Sequence, residues 1–227
     1  MISRSSVSEI NIKNMNMQNK RSISVEFWNH FFFYLSRISV FYILRQIIRN
    51  KSKEWWYDFV DIWVLSHLFF SIISLFIIKL FHCNLCSYFF VIYGFIRVME
   101  IIIYQINVLL FDEYRAKKKK VEYKLRGYRR IIINLFNNFW EIIFWFSASY
   151  AFFLSSFSDS ELSVARLIFN SFATMTTFGI SNLEIKNETG LFILWFQSLS
   201  GLFMTLLSVT RFIGLLPKIE SMDELEK

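Results

Sequence analysis

Four stretches of this chain stay apolar for about 20 residues or more, the length a helix needs to cross a hydrocarbon core of about 30 Å. They are 62–81, 88–111, 131–154 and 191–210. The first is broken by serines, by His67 and by Lys79, which stands near the end where a long side chain reaches the interface. The second carries an internal charge pair, Arg97 and Glu100, three apart and so on one helix face. The third keeps its polar residues in its first half, and the fourth is uncharged up to Arg211. Two further segments are apolar but do not fit a crossing. In 26–57, Arg37, Arg45 and Arg49 punctuate aromatic residues, a pattern that predicts an amphipathic helix in the membrane interface; the alternative is a fifth span over 27–47. Between the third and fourth spans, 155–190 holds "SDSELSVARLIFNSFATMTT", with Asp159 or Ser160 as a candidate N-cap, Glu161 in the first turn and about three apolar turns after it. A helix this short that enters a membrane and stops midway leaves carbonyls that must be buried in protein or face water.

Composition agrees with a membrane protein: 55% of the 227 residues are hydrophobic and 20% aromatic, with 28 Phe and a single Pro. The net charge of +7 would suit nucleic acid, but its distribution argues for no nucleic acid partner. Nine of the 25 Lys and Arg lie in 112–130 and nine more precede the first span, whereas 155–190 has Arg166 and Lys186 alone. By the positive-inside rule both termini and the basic loop are cytoplasmic, and the loop at 115–130 is a contact for anionic lipid. The first 25 residues are polar, lack the apolar core of a signal peptide and read as a flexible tail. Without a targeting peptide the expected location is a bacterial inner membrane.

The stretch "LIFNSFATMTTFGISN" resembles the pore helix and filter of the tetrameric potassium-channel family. Thr176 and Thr177 match that family's threonine pair, Phe178 its aliphatic position, Gly179 its first glycine, Ile180 its aromatic position, Ser181 its second glycine and Asn182 its acid. The order of span, short helix, filter and closing span resembles the family's two-helix pore module over 131–211. The resemblance implies an ion-conducting filter at Thr176–Ser181, an outer mouth at Asn182 and Glu184, an inner-helix hinge at Gly201 and a homotetramer around a potassium path. It implies no enzyme activity, no metal centre and no cofactor beyond the permeant cation. One glycine stands where that family has two, Phe178 is bulky, and Ile180 lacks a tyrosine's hydroxyl; a single glycine followed by an apolar residue and Ser also resembles the filters of Trk-type potassium transporters. Weak cation selectivity is therefore the first alternative. The physical need behind the motif is independent of family: inward-turned carbonyls replace an ion's water, and glycine permits the dihedrals this requires. A short helix ending near Met175 adds its negative dipole end.

Other residues suggest other chemistry. His82, Cys83 and Cys86 in "HCNLC" have a redox spacing, and four-helix membrane thiol oxidoreductases resemble this chain in size and helix number. Those enzymes use more than one cysteine pair, and this chain has two Cys in all. Asn134, Asn138 and Glu141 share a helix face and predict hydrogen bonds between helices. The expected protein is thus an all-α membrane protein: a tail over 1–25, an interfacial helix over 26–57, two spans and a basic loop over 58–130, a pore module with a re-entrant loop over 131–211, and a cytoplasmic tail over 212–227.

Overall fold

A computed structural model describes residues 22–48, 51–81, 84–121, 127–158, 161–178 and 183–215. Two short helices come first, α1 (Ile23–Leu35) and α2 (Val40–Ile47), joined by a 3-10 turn, Ser36–Ile38. The single interfacial helix expected over 26–57 is therefore two, and the break has a local cause. Ser39 is extended at ψ 136° and its hydroxyl accepts from the Tyr42 N–H, which starts a new helix. Neither helix, at 13 and 8 residues, has the length of a span.

Four helices are long and apolar enough to cross a membrane: α3 (Lys53–Phe81), α4 (Asn84–Ile106, continued helically to Lys118), α6 (Tyr128–Phe152) and α8 (Glu188–Leu215). The helical continuation of α4 is a π-turn, Asn107–Phe111, followed by α5 (Asp112–Lys118), so the basic segment begins as helix and not as loop. The first span likewise starts earlier than expected, at Lys53. Its added turns put Trp55, Trp56 and Phe59 in mutual ring contact, with centroids 5.0–5.6 Å apart.

Helix α6 is the hub. Ile142, Ile143, Trp145, Phe146, Ala148 and Tyr150 are all at most 2% exposed, because α3, α4 and α8 pack around it. At Gly94 of α4 an added Cβ would lie 2.7 Å from the Trp145 ring, so the indole seats directly on α4 backbone. The outer surfaces of the four long helices remain apolar, with Ile62, Phe69, Ile92 and Trp195 among the exposed residues, as a lipid-facing surface requires. His67, Ser71, Ser74, Arg97, Glu141 and Gln197 turn inward instead.

The π-turn of α4 anchors α1. Asn107 donates to the Ile103 carbonyl (2.9 Å) and to the Phe32 carbonyl (3.2 Å), while Arg115 donates to Asn29 Oδ1 (2.8 Å) and Asn107 Oδ1 (2.6 Å). A side chain inserted into its own helix ladder is a common origin of such a turn.

Candidate functional site

Between α6 and α8 sits α7 (Val164–Met175), 12 residues long. Its N-cap is Ser163, whose hydroxyl accepts from the Arg166 N–H at 3.4 Å. The expected caps, Asp159 and Ser160, lie outside the described residues, and Glu161 precedes the helix instead of opening it. Glu161 is held by Lys79 at 3.1 Å, so the lysine expected to reach the interface is paired.

Buried hydrogen bonds fix α7 on two sides. Ser171 donates to the Ile143 carbonyl of α6 (2.7 Å), and Ser147 of α6 donates to the Leu167 carbonyl (3.4 Å). From α8, Gln197 donates to the Ser171 carbonyl and hydroxyl, both at 2.8 Å, and its own carbonyl accepts from the Tyr150 hydroxyl of α6. Tyr150, Ser171 and Gln197 are each 0% exposed. This brace was missed in the sequence; the visible signal was a lone glutamine in the middle of an uncharged span.

The C-terminus of α7 reaches the midpoint of α8. A Cβ added at Gly201, the fourteenth of the 28 residues Glu188–Leu215, would lie 2.5 Å from the Met175 carbonyl oxygen. Gly201 thus allows a close approach of two backbones. The hinge expected there finds a packing role at the same residue. The helix then ends in a Schellman motif: Phe178 N–H donates to the Ala173 carbonyl (2.9 Å) and Thr177 N–H to the Thr174 carbonyl (3.3 Å). The left-handed position of that motif belongs to Thr177, at φ 56°, where glycine is usual. The two threonine hydroxyls bond locally, Thr176 to the Phe172 carbonyl (2.8 Å) and Thr177 to the Thr176 carbonyl (2.7 Å). Phe178 is 71% exposed.

Gly179, Ile180, Ser181 and Asn182, the rest of the expected filter and mouth, lie outside the described residues. The chain is described again at Leu183–Lys186, where Glu184 and Lys186 donate backbone N–H groups to the Phe157 (3.3 Å) and Ser156 (3.0 Å) carbonyls. Glu184 is exposed. Asn187 then caps α8, accepting from the Gly190 N–H at 2.9 Å.

A second polar locus lies inside the bundle. Arg97 of α4 donates to Glu100 (2.8 Å) and, through two nitrogens, to Glu141 of α6 (2.7 and 3.3 Å). The three are 5%, 6% and 0% exposed. The pair expected within α4 is therefore a triad between helices. Glu100 also accepts from the Ser39 hydroxyl and from the Phe41 N–H (2.9 Å), capping α2 from the bundle interior. Of the other polar residues on α6, Asn134 donates to Asp61 of α3 at 3.1 Å, as its face predicts, while buried Asn138 leaves its Oδ1 without a hydrogen-bond partner among the described residues. Asn138, Arg97 and Glu100 line one cavity of about 370 Å³, which runs between the helices toward Arg45 and Arg130. Trp63 Nε1, another unpartnered group among the described residues, belongs to its wall.

Cys86 is exposed at the start of α4, whereas His82 and Cys83 lie outside the described residues. Among the described residues no three His, Cys, Asp or Glu side chains gather as a metal site would require. Comparison of the chain with known protein families, with curated proteins and with solved structures gives no match.

Proposed function

We propose that this chain is the pore-forming subunit of a cation channel, conducting potassium passively through the centre of a homotetramer. One observation carries the reading: a helix too short to span, α7, ends against Gly201 halfway along α8 and delivers the chain to Thr176 and Thr177 at that depth. This supports a re-entrant α7, whose terminal carbonyls would face protein or a water-filled path. The negative dipole end at Met175 then favours a cation near Thr176–Ser181. One subunit supplies a quarter of such a filter, and cyclic symmetry closes it. The bonds of Gln197 to Ser171 support the reading, because a filter holds its spacing only if the helix behind it is fixed.

In this proposal Asn182 and Glu184 stand at the outer mouth and the basic segment 115–130 at the cytoplasmic leaflet. The host membrane is a bacterial inner membrane, with both termini inside. Weak selectivity is the second reading, favoured by the Thr176 carbonyl already accepting from Thr177, which lowers its field at an ion.

The test is a reversal potential across a planar bilayer holding purified protein, with potassium on one side and sodium on the other. Reversal near the potassium equilibrium value is the expected result, and reversal near zero establishes the weakly selective form. Gly179→Val should abolish the current with assembly intact; undiminished current in that variant removes the filter assignment.

A further inference from the structure

Arginine dominates the wall of the cavity between the helices: Arg45, Arg97, Arg130 and Arg211 line it against Glu100 and Asp112. Its inner end is already matched. Arg97 faces Glu100 and, behind the wall, Glu141, and the second carboxylate is met by the positive N-terminal end of α2, where the Ser39 hydroxyl and the Phe41 N–H (2.9 Å) donate to Glu100. Trp63 Nε1 and Asn138 Oδ1, one donor and one acceptor, carry no charge and do not set the sign of a ligand. Arg130 is satisfied by Asp61 (2.9 Å) and by the Tyr57 carbonyl (2.7 Å). The excess lies at the other side of the mouth. A second cavity of about 210 Å³ adjoins the first, sharing Ser39, Arg45, Glu100 and Asp112 with it, and adds Arg115 to the wall. Arg115 reaches Asp112 at 3.4 Å and Arg211 interacts with the same carboxylate. Exposed Arg45 has no carboxylate partner among the described residues; it stands over the Trp56 ring (5.9 Å), which holds a guanidinium without neutralising it. The excess does not depend on Arg211, because Arg45 and Arg115 alone outnumber Asp112.

These groups gather at one end of the bundle. Arg45 is on α2, Asp112 and Arg115 are on α5 beyond the π-turn, Arg130 is in the first turn of α6 and Arg211 is near the end of α8. Trp56, Tyr57 and Tyr104 line the same wall, and aromatic residues of this kind sit at the level of lipid headgroups. A basic pocket between spans at that level suits a lipid phosphate, whose oxygens accept from guanidinium forks. A volume of about 370 Å³ is that of a small-molecule pocket, which takes a headgroup and leaves acyl chains in the bilayer. We propose that the adjoining cavities hold the phosphate of an anionic phospholipid, with Arg45 and Arg115 as its charge partners, so that one lipid ties α2 to the ends of the spans. This site lies inside the bundle and is separate from the surface attraction of the basic segment 115–130.

Native mass spectrometry of the full-length protein, released from micelles titrated with phosphatidylglycerol or phosphatidylcholine, counts the lipids retained per chain. One phosphatidylglycerol should be retained per chain, with an affinity about tenfold above that of the zwitterionic lipid. Arg45→Gln should abolish that preference, whereas Lys119→Gln, which removes the same charge from an exposed position of the basic segment, should leave it within about twofold. Asp112→Asn removes the competing carboxylate and should tighten phosphatidylglycerol. Equal retention of the two lipids, or equal losses in Arg45→Gln and Lys119→Gln, would overturn the proposal. If Arg45→Gln fails to fold, weakened or unchanged binding in Asp112→Asn overturns it equally. Displacement of the lipid by millimolar glycerol phosphate would assign the cavity to a soluble phosphate ester and overturn the lipid as its occupant. The readout is binding alone, so it is independent of whether the protein conducts.

Discussion

Thr177 holds a backbone conformation that its side chain disfavours. At φ 56° a β-branched residue crowds its own carbonyl, at a cost of about 1–2 kcal/mol. The Schellman hydrogen bonds of Thr177 and Phe178 hold it there. Thr177→Gly should therefore raise stability by about 1 kcal/mol, read as an increase in thermal midpoint in detergent, because glycine takes this geometry freely. An unchanged or lower midpoint would mean that the hydroxyl bond to the Thr176 carbonyl outweighs the backbone strain. The position of this residue was legible in the sequence, since the apolar run of α7 ends at Met175. Its handedness was not: a threonine pair reads as filter or as helix interior, and nothing local marks the second threonine as a helix terminator. The Gly201 position was legible too, but as a hinge, because a sequence does not show which backbone approaches a glycine.

At the scale of elements, the contact that decides the arrangement is α7 on α8. The Met175 carbonyl lies where a Cβ of residue 201 would stand, so Gly201→Ala must push α7 away or rotate α8. We expect a loss of about 1–3 kcal/mol in thermal or denaturant unfolding, with reduced potassium flux in reconstituted vesicles. Normal stability and normal flux together would show that α8 shifts without consequence. The four long helices were legible because each exceeds the length that a membrane demands. The split of the interfacial segment into α1 and α2 was not, because what ends one and starts the other is an extended Ser39 held by Glu100, a residue 61 positions away. Capping from another helix leaves no signature beside the cap.

For the whole molecule, the Arg97 triad connects parts that the chain separates: α4, α6 and the start of α2 meet at one guanidinium and two carboxylates. Arg97→Met strands both carboxylates in the interior and should cost about 3–5 kcal/mol, measured by thermal unfolding in detergent. Glu141→Gln should cost distinctly less, since it leaves one charge of each sign and an amide oxygen that still accepts. Equal losses in the two variants would contradict the charge count. The Arg97–Glu100 half of this cluster follows from helix spacing alone. The Glu141 half depends on how α6 is rotated against α4, which no single helix encodes. The π-turn at Asn107–Phe111 has a consequence of the same global kind. One additional residue in a turn advances the helix by about 100°, so the residues before it address the bundle interior while Asn107 and Arg115 address α1. Shortening that turn by one residue would leave a continuous, equally apolar span whose cytoplasmic end is dialled to the wrong neighbour: the membrane would accept the helix, and the N-terminal helices would lose their mooring.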